Sequence, residues 1–172
     1  MSEMSARKIG FISGLVVSLG IVVIYALIKK SSLKGEYDER QELIRGRGYK
    51  YALLTVMVFN AICLIFGVEG QVPYFSWDYL TLVSIMLGTL VFGVYSIRHD
   101  AFIGLNNNVK SFVVLFAACI IANLFGGIHH LQQGLLENGR VTFATGSNLT
   151  LSVGFVILLI TILIHHISSK EE

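Results

Sequence analysis

Five long apolar stretches without a charged residue constrain the fold of this chain more than any other feature. They lie at residues 9–28, 51–68, 79–97, 111–131 and 149–167, and none contains Asp, Glu, Lys or Arg. About 20 apolar residues in a helix cross the hydrocarbon core of a bilayer. Only 14% of the 172 residues are charged, against roughly a quarter in soluble domains. We therefore predict an all-α integral membrane helical bundle of about five transmembrane helices, forming one domain over residues 1–172.

The distribution of Lys and Arg predicts the orientation of these helices. Segment 29–50 carries seven of these cations, segment 98–110 carries two and the C-terminal tail carries one. Only Arg7, Lys8 and Arg140 fall on the other side of the predicted membrane. Short loops rich in Lys and Arg remain in the cytoplasm. We expect the N-terminus outside, the C-terminus in the cytoplasm, and 29–50 as a cytoplasmic charged segment.

The charged segment mixes acids and bases before the second span. Read as a helix, it places Gln41 and Arg45 one turn apart, where such pairs stabilise a helix slightly. Gly46 and Gly48 are expected to permit a bend before the span, since glycine tolerates unusual backbone angles. Several acidic residues argue against a simple anionic-lipid patch, which would need mainly cations. Two interpretations remain, a solvated juxtamembrane helix and a docking element for a cytoplasmic protein; the docking candidates are Asp38, Glu39, Arg40, Gln41 and Arg45.

The same segment resembles a known motif. Asp38-Glu39-Arg40-Gln41, followed by Arg45-Gly46 and by Lys50-Tyr51-Ala52 leading into a membrane helix, is similar to the "DERQ" motif of small bacterial membrane proteins. These proteins come mostly from Gram-positive organisms and are largely of unknown function. The resemblance implies a multi-helix protein of the bacterial inner membrane, often encoded near small helix-turn-helix regulators. It covers about 17 of the 172 residues and implies no activity.

Asn60 and Asn123 are the strongly polar residues within the predicted spans. An intramembrane polar side chain normally faces a neighbouring helix or a water-filled cavity. Helix packing is the simpler interpretation, and a small-molecule pathway lined by both asparagines is the alternative. Small residues repeat every four positions on three of the spans, and they suit either packing within the chain or a homodimer.

The remaining residues predict no catalytic or metal site. The pairs His129-His130 and His165-His166 are expected at opposite membrane surfaces, and adjacent histidines on a helix point about 100° apart. We expect no cofactor, no metal and no direct contact with nucleic acid. The expected function is that of a non-enzymatic regulatory or partner-binding protein of the bacterial cell membrane. The alternative is a small transporter or a resistance/immunity factor with an intramembrane cavity around Asn60 and Asn123.

Overall fold

Four long helices make up most of the described chain. The computed structural model describes residues 37–67, 74–105 and 108–168. The helices are α1 (Glu39–Gly67), α2 (Trp77–Arg98), α3 (Val109–Gln133) and α4 (Phe143–Ser168). The predicted span 9–28 lies outside the described residues.

Each of the four helices is long and apolar enough to cross a membrane. Many large apolar side chains on them are exposed, among them Phe66 at 72% and Phe125 at 74%. In water that much exposed apolar surface would be strongly unfavourable, whereas lipid solvates it. The prediction of an all-α, membrane-embedded protein is therefore confirmed for the described chain.

The helices pack in a row whose spatial order is α1, α2, α4, α3. Contacts between helices in the described chain join α1 to α2, α2 to α4, and α3 to α4. Two consecutive antiparallel hairpins thus meet through their second helices. The core lies between α2, α3 and α4; its buried members are Ile97, Phe116, Leu158 and Ile162.

We name the two ends of this bundle after residues that lie there. The Val141 end holds the start of α2 and the start of α4. Here the Ser76 amide donates to the Val141 carbonyl (3.0 Å) and the Val141 amide donates to the Tyr74 carbonyl (2.8 Å). The hydroxyls of Tyr79 and Thr150 also lie 2.8 Å apart. The Asp100 end holds the start of α1, the loop from α2 to α3, and the end of α4.

Helix α1 differs most from its predicted span. It starts at Glu39, whereas the apolar stretch starts at residue 51, because most of the charged segment is helical and continuous with the span. The predicted bend at Gly46 and Gly48 is wrong. A Cβ at Gly48 would lie 3.1 Å from the Phe92 ring, so glycine here allows α1 and α2 to approach closely, while the position of Gly46 is open.

Candidate functional site: the junction at the Asp100 end

Asp38 and Gln41, the first and last of the four DERQ residues, form the N-terminal cap of α1. The Asp38 carboxylate accepts a hydrogen bond from the Gln41 amide (2.6 Å), and the Gln41 side-chain oxygen accepts one from the Asp38 amide (3.4 Å). This reciprocal arrangement is a capping box, in which two residues three positions apart satisfy backbone donors that the helix cannot satisfy itself. Asp38 and Gln41 therefore have a defined structural role, which explains half of the motif.

Helix α2 ends in a tight turn at Asp100. Asp100 has φ 58°, the Ala101 amide donates to the Ser96 carbonyl (2.8 Å), and the Asp100 amide donates to the Ile97 carbonyl (3.2 Å). These two bonds with a left-handed residue define a Schellman motif. Glycine is the usual residue there, and aspartate is among the few others that tolerate this conformation.

Two side chains of α1 bind the backbone of this turn. The Gln41 amide nitrogen donates to the Asp100 carbonyl (2.6 Å), and the Arg45 guanidinium donates to the Ala101 carbonyl (3.2 Å). Gln41 is only 7% exposed and Ala101 is fully buried. The capping box of α1 is thus fastened to the turn that ends α2.

Arg45 is held on several sides. Its guanidinium carbon lies 4.2 Å from the centre of the Tyr37 ring and 5.4 Å from that of Phe92. It also donates to the Tyr49 hydroxyl (3.4 Å). A guanidinium between aromatic faces gains cation–π attraction while its donors remain bonded. Arg45 is therefore committed to contacts within the chain.

Helix α4 reaches the same junction through His165. Its Nε2 lies 2.7 Å from a carboxylate oxygen of Asp100. Both side chains are partly open to solvent, so the pair contributes little stability by itself. The pair instead connects two helices, because Asp100 bonds to α1 through its carbonyl and to α4 through its carboxylate. The three contributions to the junction are the α1 cap, the α2–α3 loop and the α4 terminus.

A small cavity of about 140 Å³ lies beside this pair. Its lining combines apolar with polar side chains; the lining residues are Ile97, Asp100, Phe102, Ile103, Val109, Ile162, His165 and His166.

The first turns of α1 are exposed on the face that points away from the junction. Ile44 is 8% exposed and Gly48 is also buried, whereas Leu43 is 67% exposed. A shallow groove runs along the exposed face, which we call the outer stripe; it consists of Glu39, Glu42, Leu43, Gly46, Arg47 and Lys50. At about 100° per residue, these residues share one side of the helix and Gln41, Ile44 and Gly48 share the other.

The five docking candidates are thereby divided. Asp38, Gln41 and Arg45 are engaged by the cap and the junction, as described above. Glu39 and Arg40 are exposed; Glu39 belongs to the outer stripe, and Arg40 lies about 20° from Arg47 around the helix. The spacing Asp-x-x-Gln could have indicated the capping box from sequence. Asp100 was missed, because nothing in the sequence singles out a lone aspartate as a helix-ending residue.

The two intramembrane asparagines are not brought together by the described helices. The Asn60 amide on α1 donates to the Ser84 hydroxyl on α2 (2.5 Å) and to the Val56 carbonyl (2.8 Å). The Asn123 amide on α3 donates to the Cys119 carbonyl of its own helix (2.8 Å). Helices α1 and α3 make no contact with each other in the described chain. Asn60 therefore joins two helices. The small-molecule pathway lined by both asparagines stays a prediction.

Comparisons with protein-family models, curated proteins and solved structures gave no significant match to this chain.

Proposed function

We propose that this chain is a non-enzymatic protein of a bacterial cytoplasmic membrane. We propose further that it binds a cytoplasmic protein partner through the exposed side of residues 39–50, the part of α1 that precedes the apolar span and that we call the α1 extension. The observation that carries the proposal is the two-sided character of this extension. One side is fastened to the junction by Gln41 and Arg45. The other side presents charged side chains and the 67% exposed Leu43.

The rigid helical backbone of the α1 extension favours binding of a partner. A flexible tail must be ordered when a partner binds, and that ordering reduces affinity. The extension from Glu39 to Lys50 is helical and about 16 Å long, given 1.5 Å per residue. Its exposed side chains therefore start from a backbone that needs no further ordering.

The charge distribution supports a cytoplasmic location for the Asp100 end. Seven Lys and Arg residues lie in the described chain; six are at this end, namely Arg40, Arg45, Arg47, Lys50, Arg98 and Lys110, and Arg140 alone is at the Val141 end. Cations near membrane spans are retained in the cytoplasm.

Co-purification in a mild detergent tests the proposal. The tagged full chain would be compared with the charge-reversed variant Glu39→Lys/Arg40→Glu, which exchanges two exposed charges and keeps the net charge. The control is Glu137→Lys/Arg140→Glu, which makes the same exchange at the exposed Val141 end and also removes the hydrogen bond that the Glu137 carboxylate accepts from the Thr142 hydroxyl (3.0 Å). Partners would be quantified by mass spectrometry.

We expect at least a fivefold loss of one or more cytoplasmic proteins with the α1 variant, and retention of the same proteins with the control. An identical partner set for all three chains would contradict docking by the extension.

A further inference from the structure

A shallow apolar groove, which we call the hairpin groove, runs along one side of the hairpin formed by α1 and α2. Helix α1 provides most of its lining and α2 provides one residue; the lining residues are Leu54, Thr55, Val58, Phe59, Ile62 and Leu87. Along α1 the groove is about 12 Å long. Because its residues lie within apolar spans, the groove faces the acyl chains of the bilayer.

Two tyrosines lie where the hairpin groove approaches the Asp100 end. The rings of Tyr51 on α1 and Tyr95 on α2 meet edge to face, with their centroids 5.1 Å apart. Tyr51 is also the residue at which the apolar stretch of α1 begins. Tyrosine is typical of the level at which lipid headgroups meet the hydrocarbon. The tyrosine pair therefore marks the headgroup level beside the groove.

Each helix places an arginine on the side of the hairpin groove. At about 100° per residue, Arg47 lies within about 20° of Leu54 around α1. By the same measure Arg98 lies within about 20° of Leu87 around α2. Leu54 and Leu87 both line the groove, so a cation from each helix follows its apolar lining towards the Asp100 end.

These two arginines lie at similar depth and are free to bind a ligand. Gly48 packs against Ser96, and Arg47 and Arg98 each lie within about 3 Å of that contact along their helices. Both are exposed, and neither has a hydrogen bond, ion pair or ring contact within the described part of the chain. Arg40 lies on the same side of α1, about 10 Å farther from the span.

The acidic residues of the α1 extension lie on other sides of the helix. Measured around α1, Glu39 lies about 120° and Glu42 about 180° from Tyr51. Arg40 and Arg47 lie only about 20° and 40° from it. Acids and cations that are mixed in the sequence are thus separated by the helix. The acids therefore do not argue against an anionic lipid on the groove side.

The acid that follows Arg98 on α2 is engaged elsewhere. The Asp100 carboxylate lies 2.7 Å from Nε2 of His165 on α4. In the row of helices, α4 and α1 lie on opposite sides of α2. This carboxylate is therefore directed towards α4 and leaves Arg98 available on the groove side.

We propose that the hairpin groove binds an anionic glycerophospholipid, with an acyl chain along the groove and the phosphate at Arg47 and Arg98. Basic pockets between membrane helices bind anionic headgroups. Arginine suits a phosphate because its planar guanidinium donates two parallel hydrogen bonds. The inference goes beyond the proposed function and does not rest on it, since the ligand is a lipid and the apolar part of its contact lies within the membrane.

Competition between two lipids tests the charge requirement. The full chain would be purified in detergent and titrated with phosphatidylglycerol or phosphatidylcholine of identical acyl chains, and bound lipid would be counted by native mass spectrometry. Both lipids carry a phosphodiester, but only phosphatidylglycerol has a net negative charge. We expect phosphatidylglycerol to bind at least fivefold more tightly at the first site filled.

Three double variants assign that preference to the two arginines. Arg47→Gln/Arg98→Gln should reduce it to less than twofold, whereas Arg47→Lys/Arg98→Lys keeps both charges and should retain most of it. Lys50→Gln/Lys110→Gln removes the same charge at the same end of the bundle, from the outer stripe and from α3, and should leave the preference unchanged. Because all four side chains are exposed, the fold should tolerate these changes.

Photolabelling locates the bound lipid. Phosphatidylglycerol with a diazirine in one acyl chain would be photolysed in vesicles that contain the full chain, and the labelled peptides would be mapped by mass spectrometry. We expect adducts at residues 54–62 and at Leu87. They should fall at least fivefold with Arg47→Gln/Arg98→Gln and persist with Lys50→Gln/Lys110→Gln.

The inference is overturned if the wild type does not prefer phosphatidylglycerol, if both glutamine variants lose the preference alike, or if the adducts lie elsewhere. It is also overturned if Val58→Cys, in a chain with Cys63→Ser and Cys119→Ser, forms a disulfide-linked dimer in native membranes, because a second copy would then occupy the groove. The co-purification test leaves Arg47 and Arg98 unchanged, so its failure would reject the proposed function alone.

Discussion

At the residue scale, the DERQ motif divides into capping residues and exposed residues. Asp38 and Gln41 satisfy backbone donors of α1, and Gln41 also reaches the α2–α3 loop. The Asp-x-x-Gln spacing is readable from sequence, because a capping box depends only on local geometry. The attachment of Gln41 and Arg45 to Asp100 and Ala101 could not be predicted, since it depends on a turn more than fifty residues away along the chain.

Substitutions of Gln41 separate its two roles. Gln41→Ala removes both hydrogen bonds of the side chain, whereas Gln41→Glu keeps an acceptor for the Asp38 amide but places a buried carboxylate oxygen against the Asp100 carbonyl oxygen. Each lost bond is expected to cost about 1 kcal/mol. Thermal unfolding in detergent, followed with a thiol-reactive dye at the half-buried Cys63 and Cys119, should therefore rank wild type above Gln41→Ala and Gln41→Ala above Gln41→Glu.

The control for this ranking is Arg40→Ala, one residue away and exposed, which should unfold within a degree or two of wild type. Equal unfolding temperatures for Gln41→Ala and Arg40→Ala would show that the capping box and its link to the loop contribute nothing.

At the element scale, hydropathy predicted the apolar spans well but did not locate the start of α1. The predicted boundaries of α2 and α3 agree with the structure to within two residues, since charged or strongly polar residues mark where each span leaves the hydrocarbon. Helix α1 begins 12 residues early, and α4 begins at Phe143, six residues before its predicted span. The Asp38–Gln41 cap sets the start of α1, and hydrogen bonds between Thr142 and Thr145 set the start of α4. Hydropathy does not detect such caps.

Two glycines of the same hairpin should respond oppositely to alanine. A Cβ at Gly88 would lie 2.6 Å from a methyl of Val56, and a Cβ at Gly46 would meet nothing within 4 Å. Val56 is β-branched and stiff in a helix, so Gly88→Ala must push α1 and α2 apart, at a cost of about 1–3 kcal/mol. Gly46→Ala should stabilise α1 by about 0.5–1 kcal/mol.

The same unfolding assay would place Gly88→Ala below wild type and Gly46→Ala above it. A neutral Gly88→Ala would mean that the close approach of α1 and α2 is not a packing constraint.

At the scale of the whole molecule, the sequence predicted a membrane bundle but not the spatial order of its helices. The row α1, α2, α4, α3 depends on which small residues meet which large ones, such as Gly93 against Leu158 and Gly154 against Met86. Those pairings join distant parts of the chain, so no local pattern specifies them. Orientation depends on the charge difference between the two ends and stays a prediction.

Cysteine labelling of whole cells would test the orientation. In a chain with Cys63→Ser and Cys119→Ser, single cysteines would replace exposed Glu42 at the Asp100 end and exposed Asn138 at the Val141 end. A membrane-impermeant maleimide should label Asn138→Cys on intact cells, and Glu42→Cys only after permeabilisation. The reverse pattern would show that the α1 extension is outside the cell.

Crosslinking in living cells tests the central claim, that the outer stripe binds a cytoplasmic protein, most directly. A photoreactive phenylalanine would replace Leu43, with a matched probe at Leu136, which is 59% exposed and lies at the Val141 end. We predict a discrete cytoplasmic adduct at Leu43 that disappears with Glu39→Lys/Glu42→Lys and never forms at Leu136. No protein adduct at Leu43, or the same adducts at both positions, would contradict the account.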